Sequence, residues 1–124
     1  MAKIPMISIV DDDESVREST KALVRSLGYS ARTFASAEEF LDSDPDETSC
    51  LILDVQMKGL SGVELLEHLI AAGRHTPVIF VTAFPDERIR NHVLEAGAVG
   101  FLRKPFSDEK LTRCLDTALA NYSS

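Results

Sequence analysis

The sequence predicts a doubly wound α/β fold, a five-stranded parallel sheet with helices on both sides. Three observations carry that expectation. Short apolar runs alternate with amphipathic helical patterns; the third and fourth runs are apolar throughout, as strands buried on both faces are; and glycines or capping residues mark the joints.

The first strand is expected over Pro5–Val10, and Val16, Thr20, Leu23, Val24 and Leu27 put one stripe on the helix after it. Gly28 offers the left-handed turn that helix ends favour. A second strand, Ser30–Phe34, leads to a short helix, about Ala37–Asp42, where Ser36 and Glu39 have capping-box spacing. Ser43–Ser49 reads as a polar loop. Cys50–Leu53 is the third strand, and Ser61 with Glu64 opens a helix whose inward stripe is Val63, Leu66, Leu69 and Ile70, closed by Gly73. Pro77–Val81 forms the fourth strand, Ile89, Val93 and Leu94 the stripe of the next helix, and Gly97 its end. After a fifth strand, Ala98–Leu102, Ser107 caps a last helix that turns Leu111, Cys114, Leu115, Ala118, Leu119 and Tyr122 inward. The chain is expected to fray over Ala120–Ser124.

The 124 residues, 44% of them hydrophobic, suit a single domain over 1–124. A formal charge of −7 argues against direct binding of nucleic acid or anionic membranes and favours cations and protein surfaces as partners. Cys50 and Cys114 lack metal or redox spacing and read as buried free thiols of a cytoplasmic protein. No signal peptide is expected, and no run approaches the roughly 20 apolar residues that cross a bilayer.

Ligands of such sheets bind beyond the carboxyl ends of the strands. There the first strand carries Asp11-Asp12-Asp13, the third Asp54, the fourth Thr82-Ala83, and the fifth runs into Arg103-Lys104-Pro105. Crowded carboxylates repel and burial raises the cost of each charge, so the cluster requires a cation, a proton or strong solvation. An oxygen-only donor set points to a hard cation, and Mg2+, held by one or two carboxylates with water and phosphate, fits best. A carboxylate neutralised in this way can attack a phosphoryl group, with Asp54 as nucleophile and Lys104 as counter-charge. Asp13 or Glu14 is expected to offset the dipole of the first helix instead. His68, His75 and His92 read as surface residues and Met57 as packing.

The motifs "IVDDDESVR", "LILDVQM", "LSGVELL", "VTAF" and "GFLRKPF", in that order from Ile7 to about Tyr122, resemble the receiver domains of two-component response regulators. The resemblance implies a flavodoxin-like sheet of order 2-1-3-4-5 and a phosphoacceptor at Asp54. It also implies Mg2+ held by Asp11, Asp12 and Asp54 with the backbone carbonyl of Gln56. Thr82 becomes the hydroxyl that turns toward the phosphoryl group, Phe101 the aromatic whose rotamer reports it, Lys104 the phosphate partner, and Lys104–Pro105 a cis peptide bond. Gln56 and Phe84 stand where this family tunes hydrolysis of the phosphoryl group. The loop after "DVQM" usually carries proline and here reads Met57-Lys58-Gly59, which implies a more flexible loop or a cation over the pocket; Lys58 has no assigned role.

"FASAEEFL", "DVQM" and "AGAVGFLRKPF" are most similar to receivers of the FixJ type, which precede a helix-turn-helix DNA-binding domain. The expected function is therefore a switch, phosphorylated by a sensor histidine kinase. Its output would be homodimerisation or transcription regulation, through a DNA-binding domain absent from these residues. The expected output face is helix 4, strand 5 and helix 5, with Arg88, Asn91, His92, Glu95, Phe101 and Arg103. A free-standing receiver, acting through protein contacts or as a phosphorelay intermediate, is the alternative. Catalysis is expected only of its own phosphotransfer and slow autodephosphorylation. A haloacid-dehalogenase-type phosphatase would need a second Asp where Gln56 stands, and the first loop of a flavin carrier would not place Asp11–Asp13 against a phosphate. An interaction module without phosphorylation would have no need of the complete acidic set.

Overall fold

A computed structural model describes residues 4–120. Strands β1 (Met6–Val10), β2 (Ser30–Phe34), β3 (Cys50–Asp54), β4 (Val78–Thr82) and β5 (Gly100–Arg103) form one parallel sheet in the order β2-β1-β3-β4-β5. Five helices connect or follow them: α1 (Glu14–Ser26), α2 (Ala37–Asp42), α3 (Gly62–Ala71), α4 (Glu87–Glu95) and α5 (Asp108–Ala118). β1 pairs with both β2 and β3, so the winding reverses between β1 and β3 and leaves a crevice at their carboxyl ends.

Every residue of β3 and β4 is buried, because alternate side chains enter two different cores. Leu51, Leu53 and Phe80 join Phe40, Leu65, Leu69 and Val93 under α2, α3 and α4. Cys50, Ile52, Ile79 and Val81 join Ile7, Ile9, Val24, Leu111 and Leu115 under α1 and α5. Burial of the Cys50 thiol, with the Cys114 thiol nearby, pushes its pKa up to about 12. Both cysteines are free, and Cys114 is only half-buried.

The caps follow the sequence closely. Asp13 accepts from the backbone N–H groups of Ser15 and Val16, and Ser107 from that of Lys110. Ser61 and Glu64 complete a capping box, whereas Ser36 makes only its own half of one, accepting from Glu39 N–H. Asp86 caps α4, a role the apolar periodicity gave no reason to assign.

Several expectations need correction. β3, β4 and β5 each run one residue further, to Asp54, Thr82 and Arg103. On α3 Leu65 rather than Ile70 faces the core; Ile70 is 49% exposed, because Leu65, Leu66 and Leu69 set the rotation of the helix. Leu27 is the C-cap of α1 and exposed. The Ser43–Ser49 loop holds a 3-10 turn, Pro45–Glu47, and buries Pro45 and Thr48, the Thr48 hydroxyl lying 2.6 Å from that of Ser8. Tyr122 lies outside the described residues. Among the described residues no helix is long and apolar enough to cross a membrane.

Candidate functional site

Parallel register brings the motif residues to one edge. Val10 pairs with Leu53, Asp54 with Val81, and Thr82 with Arg103, so Asp11, Asp54, Thr82 and Lys104 emerge together at the carboxyl end of the sheet. Two backbone bonds extend the ladder there: Val55 N–H donates to the Val81 carbonyl at 3.1 Å, and Lys104 N–H to the Thr82 carbonyl at 2.7 Å. The Lys104–Pro105 peptide bond is cis.

Carboxylate oxygens of Asp11, Asp12 and Asp54 lie within 4.8 Å of one another. Asp11 and Asp54 are buried and Asp12 is exposed, so the cluster opens to solvent on the Asp12 side. The Lys104 ammonium reaches between the buried pair, 2.6 Å from Asp11 Oδ2 and 3.4 Å from Asp54 Oδ2. Its nearer partner is thus Asp11 rather than the expected acceptor. Asp11 Oδ1 accepts from Asp13 N–H at 2.9 Å, and the Arg17 guanidinium donates to the Asp11 carbonyl at 2.7 Å. Asp54 Oδ1 accepts from Gln56 N–H at 3.4 Å.

One cation among three acids leaves the site short of positive charge. Burial pushes the Asp54 carboxyl up to about 6; Asp11 and Asp12 add to the rise, while Lys104 and the Gln56 N–H oppose it. Burial pulls the Lys104 ammonium down, but its contacts with Asp11 and Asp54 outweigh that and hold it above its ordinary value. Asp11 Oδ2 is buried and meets the Lys104 ammonium at 2.6 Å. Three carboxylates sharing one ammonium, an acid raised by burial and by its acidic neighbours, and an all-oxygen donor set fit a metal ion bound by Asp11, Asp12 and Asp54.

A cleft of about 190 Å³ lies over these groups, lined by Asp12, Asp54, Gln56, Thr82, Phe84 and Lys104 among others. Larger grooves, of about 420 Å³ beside α1 and about 250 Å³ at the opposite edge of the sheet, lack a comparable cluster of acids. Thr82 is buried, and its hydroxyl accepts from Phe84 N–H at 3.1 Å, which leaves the hydroxyl proton free to donate. Phe84 itself is 71% exposed at the mouth. Phe101, opposite Phe80 in the ladder, is half-buried against the α2–α3–α4 core.

Two supporting residues, Arg17 and Glu38, were not assigned from the sequence, and Gly62, which reads there as part of the turn into the helix capped by Ser61, has a tighter role than that. A Cβ on Gly62 would lie 2.1 Å from the Asp54 carbonyl oxygen, so only glycine lets α3 start this close to the acceptor strand. Arg17 braces the Asp11 backbone and Glu38 reaches the loop after Asp54, each through a contact with no local sequence signal. Met57 packs on the core, as expected.

The residues of the expected output face lie on α4 and β5, with Arg88, Asn91, His92, Glu95 and Arg103 exposed and Phe101 half-buried. His92 Nε2 lies 3.7 Å from Glu67 Oε2 on α3, and Arg88 and Glu95 share its stripe at i−4 and i+3. Ile89 and Val93 pack inward and fix the rotation of α4, leaving Arg88, His92 and Glu95 exposed. Asn91 remains outward on α4, and Phe101 and Arg103 lie on β5.

Residues 7–116 match the family model of the response regulator receiver domain. The chain is 42% identical over 116 residues to Nodulation protein W of Bradyrhizobium diazoefficiens, covering 93% of this chain and 50% of that protein. It is 38% identical over 115 residues to the transcriptional regulatory protein TdiR of Thauera aromatica, covering 92% and 51% respectively. With the transcriptional regulatory protein FixJ of Bradyrhizobium diazoefficiens the identity is 36%, over 91% of this chain and 56% of that one. The chain therefore spans about half the length of the curated relatives it matches. Among solved structures, the response regulator StyR superposes with a TM-score of 0.88 at 39% identity, over 96% of this chain and 61% of that one. FixJ-N superposes with a TM-score of 0.86 at 32% identity, over 99% of each chain. By its motifs, its sheet order and these matches, the chain belongs to the response regulator receiver domains of two-component signalling.

Proposed function

We propose that this chain, as one receiver domain over 1–124, is a phosphorylation-dependent switch whose phosphoacceptor is Asp54. The observation that carries this reading is the convergence of the Asp11, Asp12 and Asp54 oxygens within 4.8 Å, with the Lys104 ammonium 3.4 Å from Asp54. An Asp54 oxygen attacks the phosphorus of a phosphohistidine on a sensor kinase. A P–O bond forms as the P–N bond breaks, and the departing imidazole keeps the electron pair and takes up a proton. Asp11, Asp12, Asp54 and the Gln56 carbonyl would hold Mg2+, which when bound would supply positive charge against the phosphoryl oxygens. Lys104 neutralises a phosphoryl oxygen, and the Thr82 hydroxyl donates to another through its free proton. Water later hydrolyses the acyl phosphate, returning carboxylate and inorganic phosphate.

Thr82 and Phe101 then bias the α4–β5–α5 surface, with Arg88, Asn91, His92, Glu95, Phe101 and Arg103, toward homodimerisation or contact with an output domain. Relatives about twice this length that are transcriptional regulators favour transcription as the output and the cytoplasm as the location. The test is incubation with acetyl phosphate, with and without Mg2+, followed by intact mass. A Mg2+-dependent, base-labile adduct absent from Asp54→Asn is expected; an adduct that persists in that variant, or none in the wild type, overturns the reading.

A further inference from the structure

The loop Gln56–Leu60 joins the acceptor strand to α3, and its outside tether comes from α2. Glu38, exposed on that helix, accepts a hydrogen bond from Leu60 N–H at 3.1 Å across 22 positions of sequence. The same carboxylate lies over Gly59, where a Cβ would stand 2.5 Å from Glu38 Oε2 and where φ is +76°. The base of the loop is closed by Gly62 N–H donating to the Val55 carbonyl at 3.0 Å, and the Gln56 N–H reaches Asp54 Oδ1 only at 3.4 Å. Among the described residues, no other hydrogen bond ties positions 56–60 to a different element.

We propose that Glu38 is a positioning residue for the phosphorylation site, holding Leu60 and Gly59 so that Gln56 is presented beside Asp54. The inference rests on the reading of Asp54 as acceptor. A short loop with a left-handed glycine has much conformational freedom to lose, and a charged acceptor makes a stronger bond than a neutral one. Glu39, its neighbour on α2, makes no side-chain bond among the described residues and provides a control with the same change of charge.

Glu38→Ala, Glu38→Gln and Glu39→Ala are compared with the wild type in two measurements. Amide hydrogen exchange over positions 56–60, without metal or phosphodonor, is expected to speed up at Leu60 by about three- to tenfold in Glu38→Ala, the scale of one hydrogen bond. Glu38→Gln, which keeps an acceptor oxygen without the charge, is expected to fall between Glu38→Ala and wild type, and Glu39→Ala to stay near wild type. In acetyl phosphate labelling, Glu38→Ala is expected to need more Mg2+ for half-maximal rate by a similar factor, while the rate at saturating Mg2+ stays within about twofold. Unchanged Leu60 exchange overturns the tether. Faster exchange with an unchanged Mg2+ requirement, or equal effects from Glu39→Ala, overturns the positioning role. If the wild type never labels, the reading of Asp54 fails and the positioning role with it, while the exchange data still decide whether the tether exists.

Discussion

At the scale of single residues, Asp54 is the carboxyl whose ionisation the fold resists most clearly. Its folded pKa, about 6, lies above the ordinary carboxylate value of 3.8, so the unfolded state releases its proton first. The metal-free protein therefore bears no penalty from Asp54 below pH 4, loses stability as pH rises through 6, and carries the full cost above that. After solvent screening that cost is about 1 to 2 kcal/mol. Urea denaturation in EDTA is expected to show Asp54→Asn more stable than wild type by that amount at pH 7 and equal to it near pH 4. Gly62 presents a steric problem instead: Gly62→Ala drives a methyl group to 2.1 Å from the Asp54 carbonyl oxygen, with backbone as the immovable partner. Its urea midpoint is expected to fall by the equivalent of about 2–4 kcal/mol, and labelling of Asp54 should slow with it.

At the scale of elements, α3 shows how local chemistry aims the site. Its capping box satisfies two backbone donors at the helix start, and the bond from Ser61 N–H holds the Glu64 carboxyl below its ordinary range. Ser61→Ala is expected to cost about 1 kcal/mol by thermal or urea unfolding. A depressed carboxyl contributes at neutral pH and loses its contribution as pH falls below the ordinary range, but Ser61→Ala keeps the backbone N–H chiefly responsible, so most of the difference should persist in acid. These elements were legible in the sequence because caps, turn glycines and apolar stripes act within a few residues of one another. Asp86 was not, since an N-cap aspartate after a proline resembles any polar loop. Ile70 was misplaced because one more apolar residue on a helix edge fits the stripe equally well, and only the packing of Leu65 shows which way α3 turns. The bond from Leu60 to Glu38 was invisible for another reason: a side chain meeting a backbone 22 residues away follows no periodic rule.

At the scale of the molecule, the sequence placed the acids correctly because parallel strands must deliver their carboxyl ends to one edge. It left the direction of Lys104 open, since which acid the ammonium approaches depends on side-chain geometry, and the structure favours Asp11. A cation bound only by the folded chain must raise its melting temperature. Millimolar Mg2+ is expected to raise the wild-type midpoint by about 2–5 °C, reversibly with EDTA, and to leave Asp11→Asn unchanged in differential scanning calorimetry. The hydrogen bond from Lys104 N–H to the Thr82 carbonyl has a further consequence. It stitches the ends of β4 and β5 together just where Lys104 and Thr82 arise, which resists the two strands parting like jaws. On the proposed reading, news of a phosphoryl group would leave as rotation of side chains over that seam, and Phe101, half-buried on its second strand, would be the moving part within reach.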